Sequence, residues 1–341
     1  CKGTDSIHGA QIQEIRRIIE AGDFAEGRGS RSEADMITPY TAFVKERIRL
    51  SRPLKIGVDA GNGTAGVVAV PILRDLGCEV HELYCEMDGT FPNHEADPTV
   101  MENMRELSEL VRANHLDLGI GYDGDGDRIG VVDEGGRIIF GDKLMIIFAR
   151  EILSRKPGAT FISEVKCSQT MYDDIEGHGG RAIMWKTGHS LIKKKMKEEN
   201  AALAGEMSGH IFFKDRYLGF DDATYASCRL LEIVAAADKP ISQLLADVPP
   251  TFNTPEIRVE CPDHIKFDVV AKVTARFKES YKVIDIDGAR VILEGGWGLV
   301  RASNTQPALV LRFEAQSEAR LTEIRDMVES TLTEIRDEFT Q

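Results

Sequence analysis

No CxxC pair occurs anywhere in this chain. Its six cysteines stand singly at positions 1, 78, 85, 167, 228 and 261, so zinc and dithiol redox motifs have no ligands to build on. Isolated cysteines in an acidic chain of enzyme size predict reduced thiols and a cytoplasmic setting. No apolar run approaches the length of a membrane span, and no signal-peptide pattern is present. Positive charge is short: 42 Lys and Arg face 56 Asp and Glu, a formal net charge of -14. That balance excludes nonspecific nucleic-acid binding and attraction to an anionic membrane. A phosphorylated ligand must therefore be met by local basic groups. Methionine is missing at the start, where Cys1 leads into a polar piece and a helix with no strand before it. A truncated or partly observed chain is expected on that ground.

What is present is a strand–helix rhythm. The 341 residues suffice for two or three domains. Ile12, Ile15, Ile18 and Ile19 recur at helical spacing over 8–21, and a second helix is predicted from about Thr38 to Leu50. Strands are predicted at 55–59, 79–84, 116–121, 129–133, 159–164, 182–185 and 201–204. Helices are predicted at 65–76, 100–114, 142–154, 221–236 and 240–247, with a lysine-rich one opening at Ser190. Pro249-Pro250 then breaks the chain. Beyond it strands come first, with helices at 263–279 and 316–338. The order reads as two α/β units followed by a smaller α+β unit.

The richest chemistry lies in Tyr122-Asp123-Gly124-Asp125-Gly126-Asp127-Arg128. In an extended loop the three alternating carboxylates point one way, and they repel each other unless a cation sits among them. A few hard oxygen ligands suit Mg2+ bound together with a substrate phosphate, and Arg128 is placed to hold a phosphate oxygen. A solvated Asp-Gly turn is one competing reading. An EF-hand calcium loop is another, since Glu134 falls at the twelfth position from Asp123. Against it, the sixth position is Arg128 rather than glycine, and a strand follows instead of a helix.

Four further segments carry candidate contacts. Gly61-Asn62-Gly63-Thr64-Ala65-Gly66 fits a dinucleotide fingerprint with Glu82 at the end of the next strand, or a tight turn that needs glycine for geometry alone. Gly205-Glu206-Met207-Ser208-Gly209-His210 places Glu206 beside Ser208, suited to paired sugar hydroxyls. Trp185-Lys186-Thr187-Gly188-His189-Ser190 opens a helix whose amides, with Lys186 and His189, suit an anion. Ser190 as an N-cap explains part of that without function, and Lys193, Lys194 and Lys195 read as a solvated face. Lys166 ends a strand and faces the same chemistry. Arg301-Ala302-Ser303-Asn304-Thr305 joins a guanidinium to hydroxyls and an amide, a phosphate cradle or a polar hairpin loop.

In this order, the acidic loop, the Thr187–Ser190 segment, Gly205–His210 and Arg301–Thr305 resemble the signatures of the α-D-phosphohexomutase family over about residues 8–338. Met207 resembles in particular the bacterial bifunctional phosphomannomutase/phosphoglucomutase branch, since phosphoglucosamine mutases typically carry glutamine there. The resemblance implies a four-domain, heart-shaped enzyme with a central cleft. It divides the chain into the tail of a phosphoserine domain (1–35), a metal-binding α/β domain (36–137), a sugar-binding α/β domain (138–249) and a phosphate-binding α+β domain (250–341). The fold expected is two tandem three-layer α/β domains with mixed sheets plus a C-terminal α+β domain.

By the same resemblance, Asp123, Asp125 and Asp127 ligate Mg2+. Arg128, Lys166, His189 and His210 serve catalysis, Glu206 and Ser208 grip the sugar, and Arg301, Ser303, Asn304 and Thr305 bind the phosphate that is not transferred. The reaction implied is interconversion of hexose 1- and 6-phosphates of mannose or glucose through a phosphoserine and a bisphosphorylated sugar. Small hexose phosphates are the expected partners, with no nucleic acid or membrane, and the chain is expected to be a monomer or weak dimer. No Thr-Ala/Gly-Ser-His-Asn-Pro stretch occurs, so this chain alone is expected to be inactive. An NAD-dependent oxidoreductase, resting on Gly61 to Gly66, and a non-catalytic sugar-phosphate binding module are the alternatives.

Overall fold

The structure, a computed structural model, describes residues 6–7 and 9–339. Cys1 and the first residues of the expected tail lie outside that range. Packing divides the chain into two compact units. The first takes the chain up to Ser163, together with Met171–Ile183 and Gly188–Asp247; the second takes Glu164–Thr170, Met184–Thr187 and everything from Val248 on.

The first unit begins with α1 (Ala10–Ala21) and α2 (Ile37–Arg47). Next come β1 (Lys55–Asp59), α3 (Ala65–Asp75), β2 (Glu79–Leu83), α4 (Arg105–Asn114), β3 (Leu118–Tyr122), β4 (Ile129–Asp133) and β5 (Ile138–Ile139). Their sheet runs β2-β1-β3-β4-β5. β1 is parallel to β2 and β3, while β3, β4 and β5 are antiparallel, so the sheet is mixed. Every residue of β3 and β4 is buried, Asp133 included, so both faces of the hairpin are covered. Leu107 and Val111 of α4 pack with Leu116 and Val132 beneath this hairpin.

A second four-stranded sheet follows the same logic. Its elements are α5 (Gly141–Arg155), β6 (Thr160–Glu164), α6 (Gln169–Gly177), β7 (Arg181–Trp185), α7 (His189–Glu199), β8 (Leu203–Gly205), β9 (Ile211–Phe213) and α8 (Ala223–Ala236). The strand order is β7-β6-β8-β9, with β6 parallel and β9 antiparallel to β8. Asp222 caps α8 by accepting from Tyr225 N at 2.7 Å. The same carboxylate accepts the hydroxyls of Tyr40 and Tyr217, which ties α2 to α8.

The second unit is an antiparallel sheet with two helices. It comprises β10 (Phe252–Asn253), β11 (Ile257–Glu260), α9 (Lys266–Lys278), β12 (Lys282–Ile284), β13 (Ala289–Leu293), β14 (Gly296–Ala302), β15 (Ala308–Ala315) and α10 (Glu318–Asp337). The strand order is β10-β15-β14-β13-β12, and β11 also pairs with β15. Val269, Val273 and Phe277 of α9 and Ile324, Val328 and Leu332 of α10 close one core over Leu309, Leu311 and Phe313. The α/β–α/β–α+β order expected from the sequence is borne out.

Several local expectations need correction. The helix expected over 100–114 opens as a tighter 3-10 turn, Met101–Met104, and the one over 240–247 is a 3-10 turn, Ile241–Leu245. The strand expected at 201–204 sits at Leu203–Gly205. Ser190 is not an N-cap: α7 begins at His189, and Gly188 stands at the cap with φ 124°, a conformation that L side chains rarely adopt. Lys193 is not solvated either, because its amine lies 3.1 Å from Asp221. Among the described residues no helix is long and apolar enough to cross a membrane.

Asp222→Ala removes a helix cap and leaves two tyrosine hydroxyls without their acceptor. We expect it to destabilise the chain by about 1–3 kcal/mol in urea unfolding. An unchanged midpoint would contradict the clamp between α2 and α8.

Candidate functional site

The first unit builds the acidic loop between β3 and β4. The loop is not extended, as alternation alone suggests. Asp123 Oδ1 accepts the backbone N–H groups of Gly126, Asp127 and Arg128 at 3.0–3.1 Å, which winds the loop into a tight turn around one carboxylate. Its other oxygen takes Arg128 Nε at 2.7 Å. Arg128 also reaches Asp97 through Nη1 at 3.0 Å. The three aspartates still converge, each offering an oxygen within 4.8 Å of the others. Asp123 is buried, Asp127 half-buried and Asp125 exposed. Glu134, the calcium-loop candidate, lies past β4 and accepts from Ser242 instead.

The sugar-loop candidate lies directly beside this turn. Gly209 O accepts Ile129 N at 3.1 Å, and Arg128 and His210 form an isolated antiparallel bridge. A Cβ on Gly209 would lie 2.3 Å from Ile129 O, so only glycine permits the approach. Glu206 is buried, and its Oε1 accepts Gly188 N at 2.7 Å, which ties the sugar loop to the start of α7. Ser208 is half-exposed.

His210 sits where these pieces meet. Its Nδ1 lies 3.4 Å from Asp221 and 3.5 Å from Asp127, ion-pair distances rather than well-formed hydrogen bonds. The His189 ring stacks at 6.2 Å from the His210 ring, 3.9 Å from Asp221. Burial pushes the Asp127 carboxyl up to about 6; the neighbouring Asp123, Asp125 and Asp221 add to this, and His210 partly opposes it. Burial also favours neutral His210, but Asp221, Glu206 and Asp127 outweigh it and hold the imidazole above its usual value. For Asp221, burial is outweighed by His210 and Lys193, which hold it well below the carboxylate range. Burial and Lys193 lower His189. The cluster thus favours charge on His210 and neutrality on His189.

The glycines of the dinucleotide-like segment have another explanation. A Cβ at Gly66 would fall 2.0 Å from Cys85 O, one at Gly63 2.7 Å from Gly124 O, and one at Gly61 2.8 Å from Ala96 Cβ. This chain's own atoms fill the space that a pyrophosphate would need.

The second unit carries the phosphate-loop candidate between β14 and β15. Arg301 is buried, and its Nε donates to Asp287 Oδ2 at 3.0 Å. Ser303 Oγ accepts the N–H groups of Thr305 and Gln306, so it shapes the turn from within. Asn304 and Thr305 are exposed. Lys166 also belongs to this unit, buried and paired with Glu256 at 2.5 Å.

Models of three domains match the chain: phosphoglucomutase/phosphomannomutase α/β/α domain II over residues 37–136, α/β/α domain III over 140–252 and the C-terminal domain over 256–331. This chain belongs to the phosphoglucomutase/phosphomannomutase family. It is 46% identical over 330 residues to a phosphomannomutase/phosphoglucomutase of Pseudomonas aeruginosa, covering 96% of this chain and 71% of that one. A phosphoglucomutase of Neisseria meningitidis is 44% identical, over 97% of this chain and 73% of its own length. Among solved structures, a phosphoglucomutase/phosphomannomutase family protein from Burkholderia thailandensis superposes with a TM-score of 0.91 at 43% identity, covering 97% of this chain and 71% of that one. The α-D-phosphohexomutase resemblance read from the motifs is thereby borne out, and so is its bifunctional bacterial branch.

Around the acidic and sugar-loop candidates, sequence reading misses Asp97 and Asp221, the carboxylates facing Arg128 and His210, and takes Lys193 for surface. In the second unit it misses Asp287. None stands in a motif, and only the folded chain brings them to their partners. The first unit yields a direct test. Asp221→Asn should lower the His210 titration midpoint, followed by NMR, by about one pH unit or more. An unmoved midpoint would show that Asp221 does not hold the proton there.

Proposed function

We propose that this chain is part of a hexose-phosphate mutase that interconverts the 1- and 6-phosphates of mannose, glucose or both through a phosphoserine and a bisphosphorylated sugar. The observation that carries the reading is the backbone junction of the acidic and Gly205–His210 loops, Ile129 N to Gly209 O, with Asp127 3.5 Å from His210. A carboxylate cluster next to sugar-reading groups is what phosphoryl transfer to a hexose hydroxyl needs.

The aspartates fit Mg2+. Three carboxylate oxygens within 4.8 Å form a hard, anionic set, and their mutual repulsion adds to burial in raising Asp127. Asp123, Asp125 and Asp127 would hold the ion, whose charge, when bound, offsets that of phosphoryl oxygens. Arg128, anchored through Nε and Nη1, presents its remaining edge to a phosphate oxygen. Glu206 and Ser208 take the 3- and 4-hydroxyls and leave the 2-hydroxyl loosely read, which accounts for acceptance of both epimers. His210 and His189 line the sugar site, with His210 able to carry a proton to or from the reacting oxygen. Arg301, Asn304 and Thr305 bind the phosphate that stays, and Lys166 supports the reacting group. The 341 residues contain no Thr-Ala/Gly-Ser-His-Asn-Pro stretch. We assign the phosphoryl-carrying serine to sequence outside them, and to these residues alone binding without turnover.

With the serine-bearing sequence present, mannose 1-phosphate should become mannose 6-phosphate in the presence of Mg2+. Asp125→Ala should cut kcat/KM by at least about 100-fold with little change in unfolding, since Asp125 is exposed. Absence of conversion by the intact protein would sink the assignment. Calorimetry of this chain should also show Mg2+ binding that tightens as pH rises through about 6. Below that pH the Asp127 carboxyl holds a proton that the metal must displace. An affinity flat across this range would count against Asp127 as a ligand.

A further inference from the structure

We infer that Asp287 is the positioning residue of the phosphate loop, aiming the Arg301 guanidinium at its ligand; this rests on the reading of Arg301–Thr305 as a phosphate site. Both donors meet on a single oxygen. Asp287 Oδ2 accepts Arg301 Nε and Thr187 N, each at 3.0 Å. The pair is well shielded, with side chains 17% and 7% exposed. Among the described residues Arg301 Nη1 and Nη2 have no hydrogen bond, so the edge held by Asp287 is Nε alone and the fork end is left for a ligand. The backbone enforces the same geometry. Gly288, the next residue, has φ 89°, and a Cβ there would lie 2.4 Å from Val300 O and 2.8 Å from Arg301 Cα. The turn between β12 and β13 thus presses onto the strand that carries Arg301.

A carboxylate beside a phosphate site costs attraction, because its charge opposes that of the ligand. Its presence makes sense if what it supplies is orientation. A long side chain frozen in its binding rotamer before the phosphate arrives loses less freedom on binding, and a fixed guanidinium fork can meet two oxygens at once. The same carboxylate also holds the N–H of Thr187, so one group fixes both Arg301 and the Thr187 backbone.

Calorimetry of this chain with glucose 6-phosphate separates the two effects. If Asp287 orients Arg301, Asp287→Ala weakens binding about tenfold, and Asp287→Asn, which keeps an acceptor but no charge, restores it to within about threefold. In an Arg301→Ala background, Asp287→Ala then costs nothing further, because its effect passes through Arg301. Binding that is unchanged or tighter in Asp287→Ala overturns the inference, as does a loss that persists undiminished without Arg301. Thermal unfolding checks that each variant is folded; were Asp287→Ala unfolded, Asp287→Ser carries the same expectation. Failure of the unsubstituted chain to bind glucose 6-phosphate would instead refute the proposed function. NMR exchange of the Arg301 Nε–H would then still test the contact, being slow in the unsubstituted chain and fast in Asp287→Ala.

Discussion

One carboxylate gathers the acidic loop. Asp123 spends an oxygen on three successive backbone N–H groups and the other on Arg128. These are charge-assisted bonds made in a buried place, where they are stronger than in water. They bend the chain tightly enough to bring Asp125 and Asp127 beside Asp123, against the repulsion that would otherwise spread them. The hairpin beneath is rigid because every residue of β3 and β4 is buried. The loop is therefore a fixed bracket of negative charge on a buried base, and the Gly205–His210 loop docks onto it through a glycine that nothing larger could replace.

That bracket organises its surroundings electrostatically. Negative charge on Asp221, Glu206 and Asp127 favours a proton on His210 despite burial, while burial and then Lys193 push the His189 imidazole the other way. Two histidines of the same intrinsic chemistry are thus separated by neighbours alone. Asp221 and Asp222 divide the labour at the start of α8. The first faces the histidines and the second caps the helix and clamps two tyrosines. Adjacent residues in an extended stretch point to opposite sides, so the histidine cluster and helix anchoring are served by a single dipeptide.

The anion site we propose in the second unit faces a different problem, a chain that is acidic as a whole. Its means are the buried Arg301 and a short turn. Ser303 turns inward to shape that turn, while Asn304 and Thr305 remain outside it. Local geometry substitutes for the global field that the net charge cannot provide. The same unit takes in the segments Glu164–Thr170 and Met184–Thr187. There Arg290 donates to the carbonyls of Val165 and Cys167 and lies over Trp297 at 3.8 Å, fixing the residues that flank Lys166.

Much of this was legible in the chain itself. Apolar runs bounded by glycine and proline gave the strands, helical spacing gave the helices, and four motifs in order gave the family. Those signals are local, because periodicity and turn chemistry act within a few residues. What escaped was each partner contributed from afar: Asp97 for Arg128, Asp221 for His210 and Lys193, Asp287 for Arg301. A lone aspartate has no signature, since its meaning depends on what the fold sets against it. The sequence by itself thus determined which groups could do the chemistry and in what order they appear. Only the tertiary structure decided how they are aimed and charged, because orientation and protonation depend on burial and on neighbours that are distant along the chain.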